Sequence, residues 1–174
     1  MRAKARRRLG LATLSAFLLA LAACQRAPSR EPAHRLRKND GEMRAAEQRG
    51  QRELGRFLAS FAQPQPGDSD WRFRARFSLD QGEDAPPEDL WFRLEKLEGD
   101  QLIGRLVNRP QRVKQLLQHQ RCCVSKQQVN DWSFVRAGYL EGAFTLRVIY
   151  SRMNEAERRA YTRAQPRPFA PLQR

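Results

Sequence analysis

Between Trp71 and Leu79 the chain alternates apolar and polar positions: Trp71, Phe73, Ala75, Phe77 and Leu79 on one side, Arg72, Arg74, Arg76 and Ser78 on the other. A period of two belongs to a strand with one buried face, which leaves the three arginines in a row on the wet face. Upstream, Met43, Ala46, Gly50, Leu54, Phe57, Leu58 and Phe61 recur at helical intervals. They predict an amphipathic helix over 41–62, opened by an Asn39/Glu42 capping box and stopped by Pro64 and Pro66. Leu90 to Leu97 and Gln101 to Asn108 read as a hairpin turning at Glu98-Gly99-Asp100, with Gly99 available for a positive φ. A short helical turn is expected around Val113, Leu116 and Leu117, then strands at 121–125 and 132–135 with turns near Gln127-Gln128 and Ala137-Gly138. Ala143, Leu146, Ile149, Tyr150 and Met153 step like a helix, and Asn154 to Glu157 offers a capping box for a last helix through Arg163. The sum is an α+β fold: a small curled antiparallel sheet of four or five strands, flanked by an N-terminal amphipathic helix and C-terminal helices.

The start of the chain has a different pattern. Arg2, Lys4, Arg6, Arg7 and Arg8 precede an apolar run from Leu9 to Ala23 that closes on Leu21-Ala22-Ala23-Cys24. At about 1.5 Å per residue that run is ~22 Å long as a helix, short of a ~30 Å hydrocarbon core. It reads as a lipoprotein signal peptide over 1–23, with small residues at the cut and the Cys24 thiol free to take lipid. Residues 24–40 then form a lipidated, basic, Pro-interrupted tether, residues 41–164 a folded domain, and residues 165–174, with three prolines, a frayed tail. Gln25 follows the cysteine where an Asp would favour inner-membrane retention, so the expected address is the periplasmic face of the outer membrane.

Charge modifies this picture little. The formal net charge is +14, but much of it sits in the signal, the tether and the tail. The 28 Arg against 5 Lys fit a coding bias as well as a ligand. A mildly basic envelope protein follows, with no nucleic acid among its partners. The expected partners are the membrane through the anchor, and anionic envelope components or an envelope protein.

Catalytic chemistry is hard to find. His34 and His119 have no metal-ligand spacing, and no phosphate loop, nucleophile elbow or HExxH occurs, so no catalytic residue, metal or cofactor is expected. The carboxylates Glu83, Asp84, Glu88 and Asp89 fall in what reads as a solvated loop. The Arg72, Arg74, Arg76 row can hold phosphate or carboxylate ligands, pair with a neighbouring strand, or guard a sheet edge. Cys122-Cys123 alternate along a strand, which suggests one buried and inert thiol beside a half-exposed one; a redox or intermolecular-disulfide role is the alternative.

Leu90-Trp91-Phe92, the run from Gly104 to Pro110 (GRLVNRP), Asn130-Asp131-Trp132 and the run from Gly142 to Arg147 (GAFTLR) follow one another in an order that resembles the YegJ-like bacterial family, domain of unknown function 2314. The resemblance runs from about Met43 to Tyr161. It implies a domain type and no reaction, since members are described as uncharacterised. His119-Gln120 departs from it where a Gly-containing turn is expected. Within these landmarks Asp131, Trp132, Thr145 and Arg147 form a candidate polar site for an anionic ligand, or, with Asp131 paired to Arg147, an architectural element. The leading expectation is a lipid-anchored, non-catalytic binding module. The alternatives are an enzyme acting on an anionic envelope substrate through Asp131, Thr145 and Arg147, and a protein that protects against a toxin or stress.

Overall fold

The structure, a computed structural model, describes residues 40–78 and 87–172. The chain is α+β, with a six-stranded antiparallel sheet and four helices. Helices α1 (Gly41–Arg52) and α2 (Leu54–Ala62) lead into β1 (Ser69–Phe77), β2 (Glu88–Glu98), β3 (Gln101–Leu106) and β4 (Arg121–Ser125). A single 3-10 turn precedes β5 (Val129–Arg136) and β6 (Tyr139–Gly142), and helices α3 (Phe144–Ser151) and α4 (Glu155–Ala164) follow. The spatial order is β4-β3-β2-β1-β5-β6, so β1 lies between its sequence neighbour β2 and the distant β5.

The single helix expected over 41–62 is two. Its cap is Asp40, whose carboxylate accepts the Met43 N–H at 3.1 Å; Asn39 lies outside the described residues. Continuity breaks at Glu53, and the reason is packing. Gly50 of α1 approaches β5 so closely that a Cβ there would lie 2.6 Å from the Asn130 carbonyl. A change of direction then drives Phe57 of α2 between Trp132, Trp71 and Phe134, at ring centroid distances of 5.4, 5.8 and 6.4 Å.

The main core sits on this face, where Phe73, Leu90, Phe92, Leu102, Leu106, Val124 and Trp132 are all inaccessible. Each such side chain stabilises the fold by about 1.5–3 kcal/mol relative to exposure. A smaller cluster of Val135, Leu140 and Ala143, with Leu146 and Phe169 against it, lies on the other face of β5, as alternation from Phe134 to Val135 requires.

Other differences from the sequence reading are local. The sixth strand, β6, follows a two-residue turn, Ala137-Gly138, in which both residues have positive φ (49° and 81°). The short turn expected around Val113 stands there, Leu116 N–H to Val113 C=O, and seats Val113 in the interior. His119 takes φ 69°, filling the left-handed position for which glycine was expected. The tail expected to fray docks on β6: Leu140 N–H donates to Pro168 O at 2.8 Å, and Ala170 N–H donates to Leu140 O at 3.0 Å. Neither cysteine is fully buried: Cys122 is half-buried against the core and Cys123 is exposed, as β4 is an edge strand. Among the described residues no helix is long and apolar enough to cross a membrane.

Candidate functional site

Asp131 lies inside the protein with no solvent exposure, and four donors converge on its carboxylate. Oδ1 accepts the N–H of Trp132 (2.8 Å) and of Phe144 (3.1 Å); Oδ2 accepts the N–H of Thr145 (2.8 Å) and its hydroxyl (2.5 Å). Helix α3 begins at Ala143, a residue that offers no capping side chain, so Asp131 caps the helix from a neighbouring strand. Burial pushes the Asp131 carboxyl above its usual range, against the opposing pull of the Thr145 hydroxyl and amide and the Arg74 charge. Thr145 is as enclosed as its partner.

The corner between β6 and α3 is built from two successive left-handed residues, Gly142 (φ 66°) and Ala143 (φ 55°). Glycine is obligatory at 142, where a Cβ would sit 2.4 Å from the Trp132 carbonyl and 2.5 Å from its ring. Trp132 is itself inaccessible, and its indole N–H donates to the Gly50 carbonyl at 3.0 Å, tying α1 to β5. Arg147 does not hydrogen-bond to Asp131. Its guanidinium donates to the carbonyls of Gly142 (2.7 Å) and Leu140 (3.3 Å) and lies over the Phe169 ring, 4.8 Å from its centroid. Burial draws the Arg147 pKa below the ordinary guanidinium value, although Glu141 and Asp131 pull the other way.

These landmarks fall inside a match, over residues 40–166, to a family model described as "Uncharacterized protein conserved in bacteria (DUF2314)". The chain belongs to this family. No curated protein and no solved structure matches it. The DUF2314 landmarks are thereby assigned positions: Asp131, Trp132, Gly142 and Thr145 form one joint between β5, β6, α1 and α3. Gly104 is a second tight point, where a Cβ would meet the Phe73 ring at 2.7 Å and the Arg93 carbonyl at 2.8 Å. Asn108, two residues before Pro110, accepts the Trp91 N–H at 2.7 Å, holding the β3–β4 connection to β2.

The arginine row is not uniformly wet: Arg72 is half-buried, Arg74 buried and Arg76 exposed. Arg74 is buried because α1 covers it: it meets Asp89 at 2.6 Å and Glu47 of α1 at 3.4 Å. The exposed Arg76 bridges the same two carboxylates, at 3.1 Å to Asp89 and 2.7 Å to Glu47. The Asn130 amide donates to Asp89 at 2.7 Å. Arg72 stands apart, paired with Asp70 through two bonds of 2.9 Å. Two cations and two anions thus close on each other at the junction of α1, β1, β2 and β5.

The partners of that junction were missed in the sequence. Glu88 and Asp89 read as solvated loop carboxylates, yet they open β2, and Glu88 is almost wholly buried. Its two oxygens accept the N–H groups of Gln111 (2.7 Å), Arg112 (2.8 Å) and Val113 (3.0 Å), so one carboxylate pins a loop more than twenty residues away. The only available signal was their position directly before the apolar run Leu90-Trp91-Phe92. Glu83 and Asp84 lie outside the described residues, as does Cys24 with the signal and most of the tether. Among the described residues no group of three or more His, Cys, Asp or Glu side chains is placed to hold a metal ion.

Proposed function

We propose that this DUF2314 protein is a lipid-anchored, non-catalytic binding module of the cell envelope. The observation that carries the non-catalytic part is the state of the motif's polar groups. Asp131 and Thr145 are enclosed and committed to each other and to the start of α3, so an anionic substrate has no route to them. An acid or nucleophile must come within about 3 Å of its substrate, which burial at this joint prevents. Arg74 and Arg76 are neutralised by Glu47 and Asp89.

The anchor rests on Leu21-Ala22-Ala23-Cys24 behind a basic start. Two or three acyl chains on Cys24 hold a protein stably, at about 0.8 kcal/mol per buried methylene. The basic tether (Arg26, Arg30, Arg35, Arg37 and Lys38) adds attraction to anionic head groups. The membrane served is the outer one, on its periplasmic face, where the host has one. Metabolic labelling with a radioactive fatty acid tests the anchor: wild-type protein takes label and sediments with membranes, and Cys24→Ala accumulates as unlabelled precursor. Wild-type protein that is soluble and carries no lipid mass refutes it. Crosslinking in the intact envelope, followed by identification of what is captured, tests the binding role.

A further inference from the structure

The tail of this chain occupies a groove between β6, α3 and α4. Pro168–Ala170 lies beside β6 through one isolated parallel bridge, held by two main-chain hydrogen bonds to a single residue, Leu140. Phe169 enters between Tyr150 of α3 and Tyr161 of α4, with ring centroids at 5.6 and 6.3 Å, while the Arg147 guanidinium faces its ring at 4.8 Å. Leu140 and Leu146 complete the apolar floor, and Ala170 is buried beside it. Arg167 reaches Asp70 at 3.5 Å on the rim.

Receptor and occupant have different standing. Leu140, Arg147, Tyr150 and Tyr161 all lie within the family match, which ends at residue 166; Phe169 lies beyond it. The groove is therefore built from residues inside the matched segment, and its occupant lies outside that segment. Arg147, the last residue of the Gly142–Arg147 motif, is held by the carbonyls of Gly142 and Leu140 with its flat face toward the ring. The occupant also has the character of a ligand. Pro166, Pro168 and Pro171 keep it extended and cut the entropy lost on docking. Strand addition with one anchoring side chain is a common mode of peptide recognition.

We propose that the β6 edge and its aromatic floor are a docking site for an extended segment of another protein, one carrying a basic residue, a proline, an aromatic and a small residue in succession, and that the tail is a resident stand-in for it. The proposal supplies a ligand class for the binding module and rests on that reading. It does not depend on the anchor, which the labelling experiment above tests separately. A tethered tail acts at millimolar effective concentration and masks the site in the free protein.

The test uses the mature chain and a fluorescent peptide of sequence QPRPFAPLQR, read by anisotropy. Phe169→Ala empties the groove, so this variant binds the peptide at least tenfold more tightly than wild type. Two altered peptides, one with Ala in place of Phe and one N-methylated at the alanine that follows it, lose that binding, because they lack the anchor and the donor to Leu140. A folded Phe169→Ala protein that ignores the peptide, or that binds all three peptides alike, overturns the proposal. Should this variant fail to fold, a protease site inserted after Ala164 keeps the question decidable. Cleaved protein that stays folded and exchanges its tail for labelled peptide supports a docking site. Cleaved protein that loses cooperative unfolding, or never exchanges, shows a structural strap and overturns it.

Discussion

Gly142→Ala gives the sharpest test of the joint around Asp131, because its cost divides into two parts that a second glycine separates. Gly142 has φ 66°, and a Cβ there falls 2.4 Å from the Trp132 carbonyl and 2.5–2.6 Å from two atoms of its ring. Placing an L-residue in the left-handed region costs about 1–2 kcal/mol. Forcing a methyl group into a closed contact costs about 1–3 kcal/mol more, since the carbonyl is backbone and Trp132 is enclosed. Gly138 provides the control: φ is 81°, and nothing lies within 4 Å of where its Cβ would be. Gly138→Ala therefore carries the conformational cost alone, and the loss of unfolded-state entropy on introducing Ala is common to both variants. The expectation is about 1–2 kcal/mol for Gly138→Ala and about 2–5 kcal/mol for Gly142→Ala, measured by urea denaturation followed by tryptophan fluorescence. Gly142→Ala also changes the Trp132 environment, visible as altered near-ultraviolet circular dichroism. If the two variants have the same stability within about 0.5 kcal/mol, the close approach of Gly142 to Trp132 is wrong, and with it the account of the joint.

Three further outcomes are expected. The Arg152 guanidinium holds the Asp40 carboxyl at a pKa of about 2 against an ordinary 3.8, so this pair stabilises the fold above about pH 4 and its contribution is lost as pH falls toward 2; Arg152→Gln flattens that acid limb of the melting profile, and an unchanged limb refutes the pairing. Arg74→Gln strips the half-buried carboxylates Glu47 and Asp89 of their enclosed partner and costs about 3–5 kcal/mol in chemical denaturation, whereas Arg76→Gln, at an exposed position, costs about 0–1 kcal/mol; the reverse order would place α1 wrongly. Iodoacetamide with mass-spectrometric readout modifies the exposed Cys123 before Cys122, whose thiol burial pushes up; equal rates contradict the orientation of β4.

What could be read from the sequence divides by distance along the chain. The alternation of β1, the Gly99 turn and the Asn154 capping box are local, and each stands within two residues of where pattern places it. Strand β6 was legible only through the Ala137-Gly138 turn, since four residues are too few to show a period. The break at Glu53 has no local signal: the apolar period runs on through it, and the bend answers to the β5 backbone beneath Gly50. The candidate site shows the same dependence on distant partners. Asp131 meets Thr145 as the cap of α3, and Arg147 turns to carbonyls that no sequence pattern marks. Arg74 looked wet because its cover, Glu47, belongs to a helix about thirty residues earlier.

The placement of β1 between β2 and β5 has a consequence for the order in which the molecule assembles. β1 to β4 form a meander whose pairings join neighbours in sequence, while the β1–β5 seam must bring Ala75 and Val129 together across the whole of it. Everything fastened to β5 waits on that seam: α1 through Gly50 and Trp132, and α3 through Asp131. Long-range closure is the slow step in such topologies. A nucleus in the meander then makes residues of the β2–β3 hairpin sensitive in the refolding rate, whereas truncation of the Asp131 joint accelerates unfolding and leaves refolding nearly unchanged. The joint around Asp131 is thus the last to lock, and it sets how long the native state lasts more than how fast it is reached.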